Sequence, residues 1–302
     1  MRDAGCWMQD ARCGMQAGCA MRDAGCWMLD AGCGMRDAGC RMLDAGCGIN
    51  YRKMALKLIK LKLMFLFAAV IQIAAAQEIN PEMVFVQGGV FKMGSNFGVE
   101  DELPIHDVRV DDFYIGKYEV TQLEWRLIMD QDTNKRYFEG CDSCPVERVS
   151  WYNVIEFIEK LNQKTGLNYR LPTEAEWEFA GRGGNKSKGY KYSGSNADVS
   201  VAWKVGNSNA RSHPIGRKKP NELGLYDMTG NIFEWCSDWY SPTWYQVSPK
   251  DNPIGPASGQ HKVIRGGSWF QDNTGLRVCD RASANPGYRY GYVGFRLCRS
   301  GK

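Results

Sequence analysis

The residues best placed to do chemistry are Asp227 and Glu234, which bracket the turn in GLYDMTGNIFEW. Two carboxylates around a glycine-containing turn leave room for backbone carbonyls to converge between them. A hard cation such as Ca2+ takes six or more oxygens from such a mixture. The plainer alternative is that both residues only cap and brace the turn. Cys141 and Cys144, in CDSC, are the next candidates. A zinc site wants two more ligands nearby and none is evident, so in an exported chain a disulfide is expected. Glu174, Glu176 and Glu178 fall on one short predicted helix and read as capping and solvated acids. His106, His213 and His261 are scattered, with no triad logic linking them. Cys236 reads as a buried thiol, and Trp235 and Trp239 as core beside the turn.

The second feature is RGGSWFQDNTGLRVCDRASANPGYRYGYVGFRLC, residues 265–298. It opens on Arg265-Gly266-Gly267-Ser268-Trp269 and closes on Gly294-Phe295-Arg296. Between these frames Tyr288, Tyr290 and Tyr292 lie among small residues with no apolar periodicity. Tyrosine offers a large amphipathic contact at low rotamer cost, and small neighbours let it reach a partner, as in antibody paratopes. The alternative is an ordinary solvent loop. Arg281 and Arg289 read either as framework or as contact residues.

Such residues need a scaffold. MVFVQGG and VFKMGS, within 83–95, read as two strands joined at Gly88-Gly89. FYIGKYEV, 113–120, alternates like a further strand and runs into TQLEWRLIM, where Thr121 and Glu124 have capping-box spacing. After Ser150, the residues Val154, Phe157, Ile158 and Leu161 recur at helical spacing, with Gly166 where a C-cap belongs. A third helix is predicted from Thr173, boxed by Glu176, to about Gly181. Beyond it the chain is short strands and turns. The fold class expected is α+β, one loop-rich domain, and a bound cation is one way to pin the loops.

Residues 1–53 hold a degenerate heptad of the MRDAGCW type, with one cysteine per repeat unit. One Met per unit cannot make the two seams of a coiled coil, and evenly spaced single cysteines do not give the paired spacings of metal sites. This stretch reads as lying upstream of the true start, or as disordered. From Met54, Lys57, Lys60 and Lys62 precede an apolar run, and Ala74-Ala75-Ala76 ends it before Gln77. Residues 54–76 thus read as a signal peptide with an A-x-A cleavage site, too short for a membrane span. An exported domain over 77–302 is expected, periplasmic, secreted or at the cell surface. The +4 net charge belongs to the leader, because ten of 38 basic and six of 34 acidic residues precede Gln77. The neutral remainder gives no electrostatic reason to expect nucleic acid.

In order from about residue 83 to 298, MVFVQGGVFKMGS, FYIGKYEVTQLEW, PVERVSW, YRLPTEAEWEFAGRGG, PNELGLYDMTGNIFEWCSDWY, VIRGGSW and GFRL resemble the formylglycine-generating, or sulfatase-modifying-factor, family. The resemblance implies the fold which that family shares with C-type lectins. In members that oxidise a substrate cysteine to formylglycine, two cysteines after the RGGS frame bind copper, soft thiolates suiting Cu(I). Those positions fall on Gln271 and near Leu276, and a gap would move the second only towards Cys279. One thiolate is not a pair, so copper is not expected here. The family's calcium site falls on Asp227, the carbonyls of Gly230 and Ile232, and Glu234, with Asp227 standing where the family often has Asn. A second family site would include Asn207 and the Ser208 carbonyl, but its loop is shortened to ARSHPIG and that site is left open.

The C-terminal segment also resembles the variable region of proteins diversified by retroelements, where adenine mutagenesis alters chosen codons within a fixed frame. Against that frame, the ligand-facing positions are Phe270, Asp272, Asn273, Thr274, Gly275, Cys279 and Asp280, followed by Ala282, Ser283, Ala284, Gly287, Tyr288, Tyr290, Gly291 and Tyr292. Apart from Phe270, these are the frame's free positions, each encodable by a codon ending in a pyrimidine; Gln271 is not. The expected function is a non-catalytic, exported protein presenting this surface to a protein or glycan ligand. Two alternatives stand beside it: an oxidase or oxygenase of the formylglycine-generating type with another metal site, and a structural envelope component of gliding or secretion type.

Overall fold

A computed structural model describes residues 79–129 and 135–301. The heptad repeat, the signal segment and Gln77 lie outside the described residues. Among the described residues no helix is long and apolar enough to cross a membrane.

The two strands expected near the N-terminus form as β1 (Met83–Val86) and β2 (Gly89–Met93), but they do not pair with each other. β2 pairs antiparallel with β3 (His106–Val110), and β1 with β4 (Phe113–Gly116). The chain passes from one sheet to the other at Gly88, whose amide donates to Asp112 Oδ1 at 2.8 Å. A Cβ there would meet the Val110 carbonyl oxygen at 2.4 Å, so only glycine lets the two connections cross this closely. β4 is shorter than the predicted 113–120, and beyond it Val120 exchanges bonds with Phe295 and Val146. β9 (Cys298–Ser300) completes the sheet in the order β1-β4-β9.

The three predicted helices form where their caps place them. Thr121, Ser150 and Thr173 each accept the N3 amide and open α1 (Gln122–Ile128), α2 (Trp151–Thr165) and α3 (Glu174–Gly181). Gly166, at φ 70°, ends α2. A short fourth, α4, spans Asp198–Val201. The face of α2 made by Val154, Phe157, Ile158 and Leu161 is buried, at about 1.5–3 kcal/mol for each large apolar side chain removed from water. Phe157 stacks on Trp125 at 5.2 Å and meets Phe295 edge-on at 5.3 Å, so the Gly-Phe-Arg frame is locked between α1 and α2.

A four-stranded sheet, ordered β7-β6-β5-β8, carries the candidate site. It comprises β5 (Phe233–Trp239), β6 (Lys262–Arg265), β7 (Ala282–Ala284) and β8 (Val293–Gly294), with β5–β8 the parallel pair. Trp235 and Cys236 are buried in it, as expected, while Trp239 stays half-buried.

The expectation for α3 needs correction. Glu174 and Glu178 are buried rather than solvated, and each pairs with an arginine of the C-terminal segment. Glu176 caps the helix and holds Arg170 through two bonds of 2.7 Å.

Candidate functional site

Four buried arginines tie the C-terminal segment to carboxylates supplied earlier in the chain. Arg265 reaches Glu178 and the carbonyls of Cys279 and Asp280. Arg277 holds Glu102 through bonds of 2.6 and 2.8 Å. Arg281 holds Glu174, and Arg296 holds Glu234 through two bonds of 2.6 Å. The pairs made by Arg277, Arg281 and Arg296 are bidentate and that of Arg265 is a single charge-assisted bond; the planar forks fix orientation as well as position. The glycines of the frame are equally constrained. Gly267 sits at φ 75°, where a Cβ would meet the Gly275 carbonyl oxygen at 2.5 Å, and a Cβ on Gly294 would meet that of Val146 at 2.2 Å.

On this support lies a continuous row of aromatic rings. Tyr288 contacts Tyr290 at 5.9 Å between centroids, Tyr290 contacts Tyr292 at 5.3 Å, and Tyr292 meets Phe270 at 4.6 Å. Phe270 packs edge-on against Trp269 at 5.3 Å, and Trp269 meets Phe138 at 5.6 Å and Tyr137 at 6.4 Å. Tyr137 and Tyr288 are each 61% exposed. Three bonds to main-chain carbonyls hold the row: Arg148 N–H to the Tyr290 carbonyl, Phe233 N–H to that of Tyr292, and the Ser208 hydroxyl to that of Trp269.

Tyr137 and Phe138 belong to the row although nothing in their local sequence marks them as site residues, and Trp269 serves it as well as the frame. The first two are an aromatic pair isolated in the polar stretch NKRYFEG; only tertiary contact brings it to the row. The Cys141–Cys144 disulfide, expected from CDSC, closes the loop just beyond it.

The predicted ligand-facing residues divide between surface and interior. Phe270, Asp272, Asn273, Thr274, Ser283, Gly287 and Tyr288 are exposed, while Tyr290, Gly291 and Tyr292 are partly exposed. Gly275 and Ala282 are half-buried, and Asp280 is turned towards Arg277 at 2.9 Å. Cys279 and Ala284 are corrected to the interior, 7% and 6% exposed, because Ala284 pairs with Lys262 across the sheet and Cys279 lies beside Arg277. Thr274 and Cys279 also border a separate cavity of about 800 Å3, together with Phe97 and Arg182. Arg281 is framework, fully enclosed at its side chain, and Arg289 is exposed.

Residues 69–301 match the sulfatase-modifying factor enzyme 1-like domain. The chain belongs to the sulfatase-modifying-factor family. It is 30% identical to the formylglycine-generating enzyme of Streptomyces coelicolor, over 70% of this chain and 87% of that protein. It is 33% identical to the chaperone protein LppX of Paenibacillus barcinonensis, over 63% of this chain and 79% of that protein. A serine/threonine-protein kinase pkn1 of Chlamydia pneumoniae is 34% identical over 74% of this chain, which matches only 39% of the kinase. Among solved structures, Treponema denticola variable protein 1 superposes with TM-score 0.68 at 31% identity, covering 74% of this chain and 97% of that one. PvdO of Pseudomonas aeruginosa follows the same fold, with TM-score 0.65, 28% identity, and coverage of 74% and 96%.

Gln271, and Leu276 near the second position, where the sequence resemblance would place the family's copper-binding cysteines, are half-buried and buried respectively. The free thiols among the described residues are Cys236, Cys279 and Cys298, all buried. Burial pushes each thiol up, that of Cys279 to about 11. Protonated thiols are poor nucleophiles and poor ligands for a soft metal.

At the carboxylate turn of this family domain, Asp227 and Glu234 behave differently. Glu234 accepts both bonds from Arg296 and a third from Trp177 Nε1 at 2.7 Å, so it is first of all a counterion. Asp227 Oδ2 accepts the Gly216 amide at 2.7 Å, but its buried Oδ1 has no partner. Burial pushes the Asp227 carboxyl up to about 6. Glu119, which sequence reading did not single out, is raised well above its usual range, by burial first and then by the charges of Asp227 and Glu234. It accepts Asn231 Nδ2 at 2.7 Å. Three buried carboxylates thus face one guanidinium. Among the described residues no three His, Cys, Asp or Glu side chains converge as a metal cluster. At the second turn, Asn207 Oδ1 accepts the Lys204 amide and the Ser208 carbonyl accepts a bond from His213, so internal partners occupy both.

Proposed function

We propose that this domain is a non-catalytic, exported binding protein that presents the aromatic row and its flanking turns to a ligand. The observation carrying this reading is the continuous run of partly exposed rings from Tyr288 to Tyr137, mounted on buried arginine–carboxylate pairs. A rigid frame beneath a variable-looking surface lets contact residues change at little cost to folding. The likeness to a Treponema denticola protein named as variable supports this reading, including diversification of the exposed codons by a retroelement. The matching formylglycine-generating enzymes favour the oxidase alternative, but Gln271 and Leu276 stand against it.

Calcium is proposed as a structural pin, held by Asp227 with the carbonyls of Gly230 and Ile232 and with Glu234 as a shared acid. It would supply positive charge to the orphaned Asp227 Oδ1 and fix the turn beneath Trp269.

Two experiments test the reading. Incubation with a sulfatase-type cysteine peptide, copper and oxygen is expected to leave the peptide mass unchanged; aldehyde formation overturns it. Sequencing this gene in many isolates is expected to concentrate substitutions at the exposed positions between 270 and 292, sparing Cys279, Ala284 and the frame arginines. Substitutions spread evenly over the domain defeat the display reading.

A further inference from the structure

Arg148, Arg211 and Arg289 border the aromatic row and differ from the arginines beneath it. Arg265, Arg277, Arg281 and Arg296 each hold a carboxylate. Arg148, Arg211 and Arg289 have none within ion-pair distance among the described residues. Arg148 donates its amide to the Tyr290 carbonyl at 2.9 Å and has φ 57°, a left-handed backbone that is uncommon for a non-glycine residue and is found enriched at functional sites. The Arg211 guanidinium lies 5.7 Å from the Phe138 ring centroid and is exposed. Arg289 is exposed between Tyr288 and Tyr290. Of the nearby acids, Glu147 lies within electrostatic reach of Arg148, whose charge opposes the upward push of burial on the Glu147 carboxyl. Glu147 is buried, accepting the amides of Tyr137 and Phe138, and Asp272 is bonded to Thr274.

We infer that the aromatic row docks an acidic polypeptide segment, with Arg148, Arg211 and Arg289 as counterions for its Asp and Glu side chains. This rests on the binding reading above and names the partner's chemistry. Guanidiniums beside aromatic faces are the residues most suited to carboxylate recognition at interfaces, being planar, bidentate and weakly hydrated. The ring geometry favours a polypeptide over a sugar. Tyr292–Phe270, Phe270–Trp269 and Phe138–Trp269 are edge-to-face at 72°, 70° and 78°, Tyr288–Tyr290 and Tyr290–Tyr292 are tilted by 55° and 36°, and only Tyr137–Trp269 lies near-parallel at 19°. A pyranose packs on one flat ring face, whereas alternating faces and edges make grooves into which apolar side chains insert. A long polyanion such as nucleic acid gains little from a domain with balanced charge.

The test uses synthetic peptides of matched aromatic and leucine content carrying Asp/Glu, their amides Asn/Gln, or Lys, with polygalacturonate and single-stranded DNA as further probes. The acidic peptides are expected to bind at least about tenfold more tightly than the amide peptides, an advantage that shrinks as NaCl rises from about 50 to about 300 mM. A variant carrying R148N, R211A and R289A is expected to bind acidic and amide peptides alike, while keeping its thermal midpoint; Asn is used at Arg148 because it tolerates the left-handed backbone. Equal binding of acidic and amide peptides by the native domain, or no binding of the acidic peptide, overturns the inference while leaving the display reading intact. Unchanged acidic-peptide binding in a variant carrying Y288A, Y290A and Y292A removes the docking site itself. Tighter binding of polygalacturonate or DNA than of the acidic peptide shows the partner class to be wrong.

Discussion

Arg281 grips Glu174 through Nε–Oε1 at 2.7 Å and Nη2–Oε2 at 2.9 Å, and its Nη1 reaches the Asp101 carbonyl at 2.7 Å. Neither side chain is open to solvent, and with Arg281 removed the buried Glu174 keeps only Arg265, at 3.7 Å, as a counterion. R281A is expected to destabilise the domain by about 3–5 kcal/mol. The double substitution to Met at both positions should recover much of that loss. Urea unfolding of the single and double variants checks this; equal losses would show that the pair is not the unit.

The division between displayed and interior positions gives a paired test on neighbouring residues. Ser283 faces out of β7, while Ala284 is 6% exposed and packs against the core. S283D is expected to change stability by less than about 0.5 kcal/mol, whereas A284D should cost about 3 kcal/mol or more by burying an unpaired charge. Thermal denaturation distinguishes them.

Calcium and pH should act together at Asp227. Burial pushes Asp227 up to about 6 and, with the charge of Glu174, Asp238 up to about 7. Both carboxyls hold protons more tightly in the folded chain than in the unfolded one. Without calcium, their contribution to stability is therefore expected to be fully present below about pH 4 and to fall as pH rises through 6 to 7. Each carboxyl can lower stability by at most about 1.4 kcal/mol per pH unit across that window. Glu174 runs the other way: burial would raise it, but the charges of Arg281 and Arg265 hold it low, so its contribution is lost on strong acidification. Calcium binds the ionised form of Asp227, so its stabilising effect should be larger at pH 8 than at pH 5. D227N should flatten the pH dependence and weaken the calcium response. Melting curves with calcium or a chelator at the two pH values would decide it; no calcium effect at pH 8 rejects the pin.

The disulfide closes a very short loop, so its entropic contribution is modest. C141S/C144S is expected to cost about 2 kcal/mol and leave the domain folded. Main-chain bonds from Gln122 to Cys144, Leu123 to Asp142 and Ile215 to Ser143 keep the loop in place without it. A midpoint lowered without change in unfolding slope is the expected result of denaturant titration.

The local order of this protein was legible in its sequence. Thr121 and Thr173 announce two helices because a cap and its N3 partner lie three residues apart, and the helix after Ser150 and its buried face follow from helical spacing alone. The family motifs likewise gave the fold and pointed to the absence of a sulfur pair at Gln271 and Leu276. Other features depended on contacts between distant residues. Nothing near Glu174 or Glu178 indicates that arginines about a hundred residues later will bury them, so they read as solvated acids. Gly88 sends β1 and β2 into different sheets because it crosses the Val110–Asp112 connection. Tyr137 and Phe138 join the aromatic row only through packing on Trp269. Spacing along the chain determines which residues can share a helix face. Which carboxylate meets which guanidinium, and which rings form one surface, is decided by how the loops close over the core.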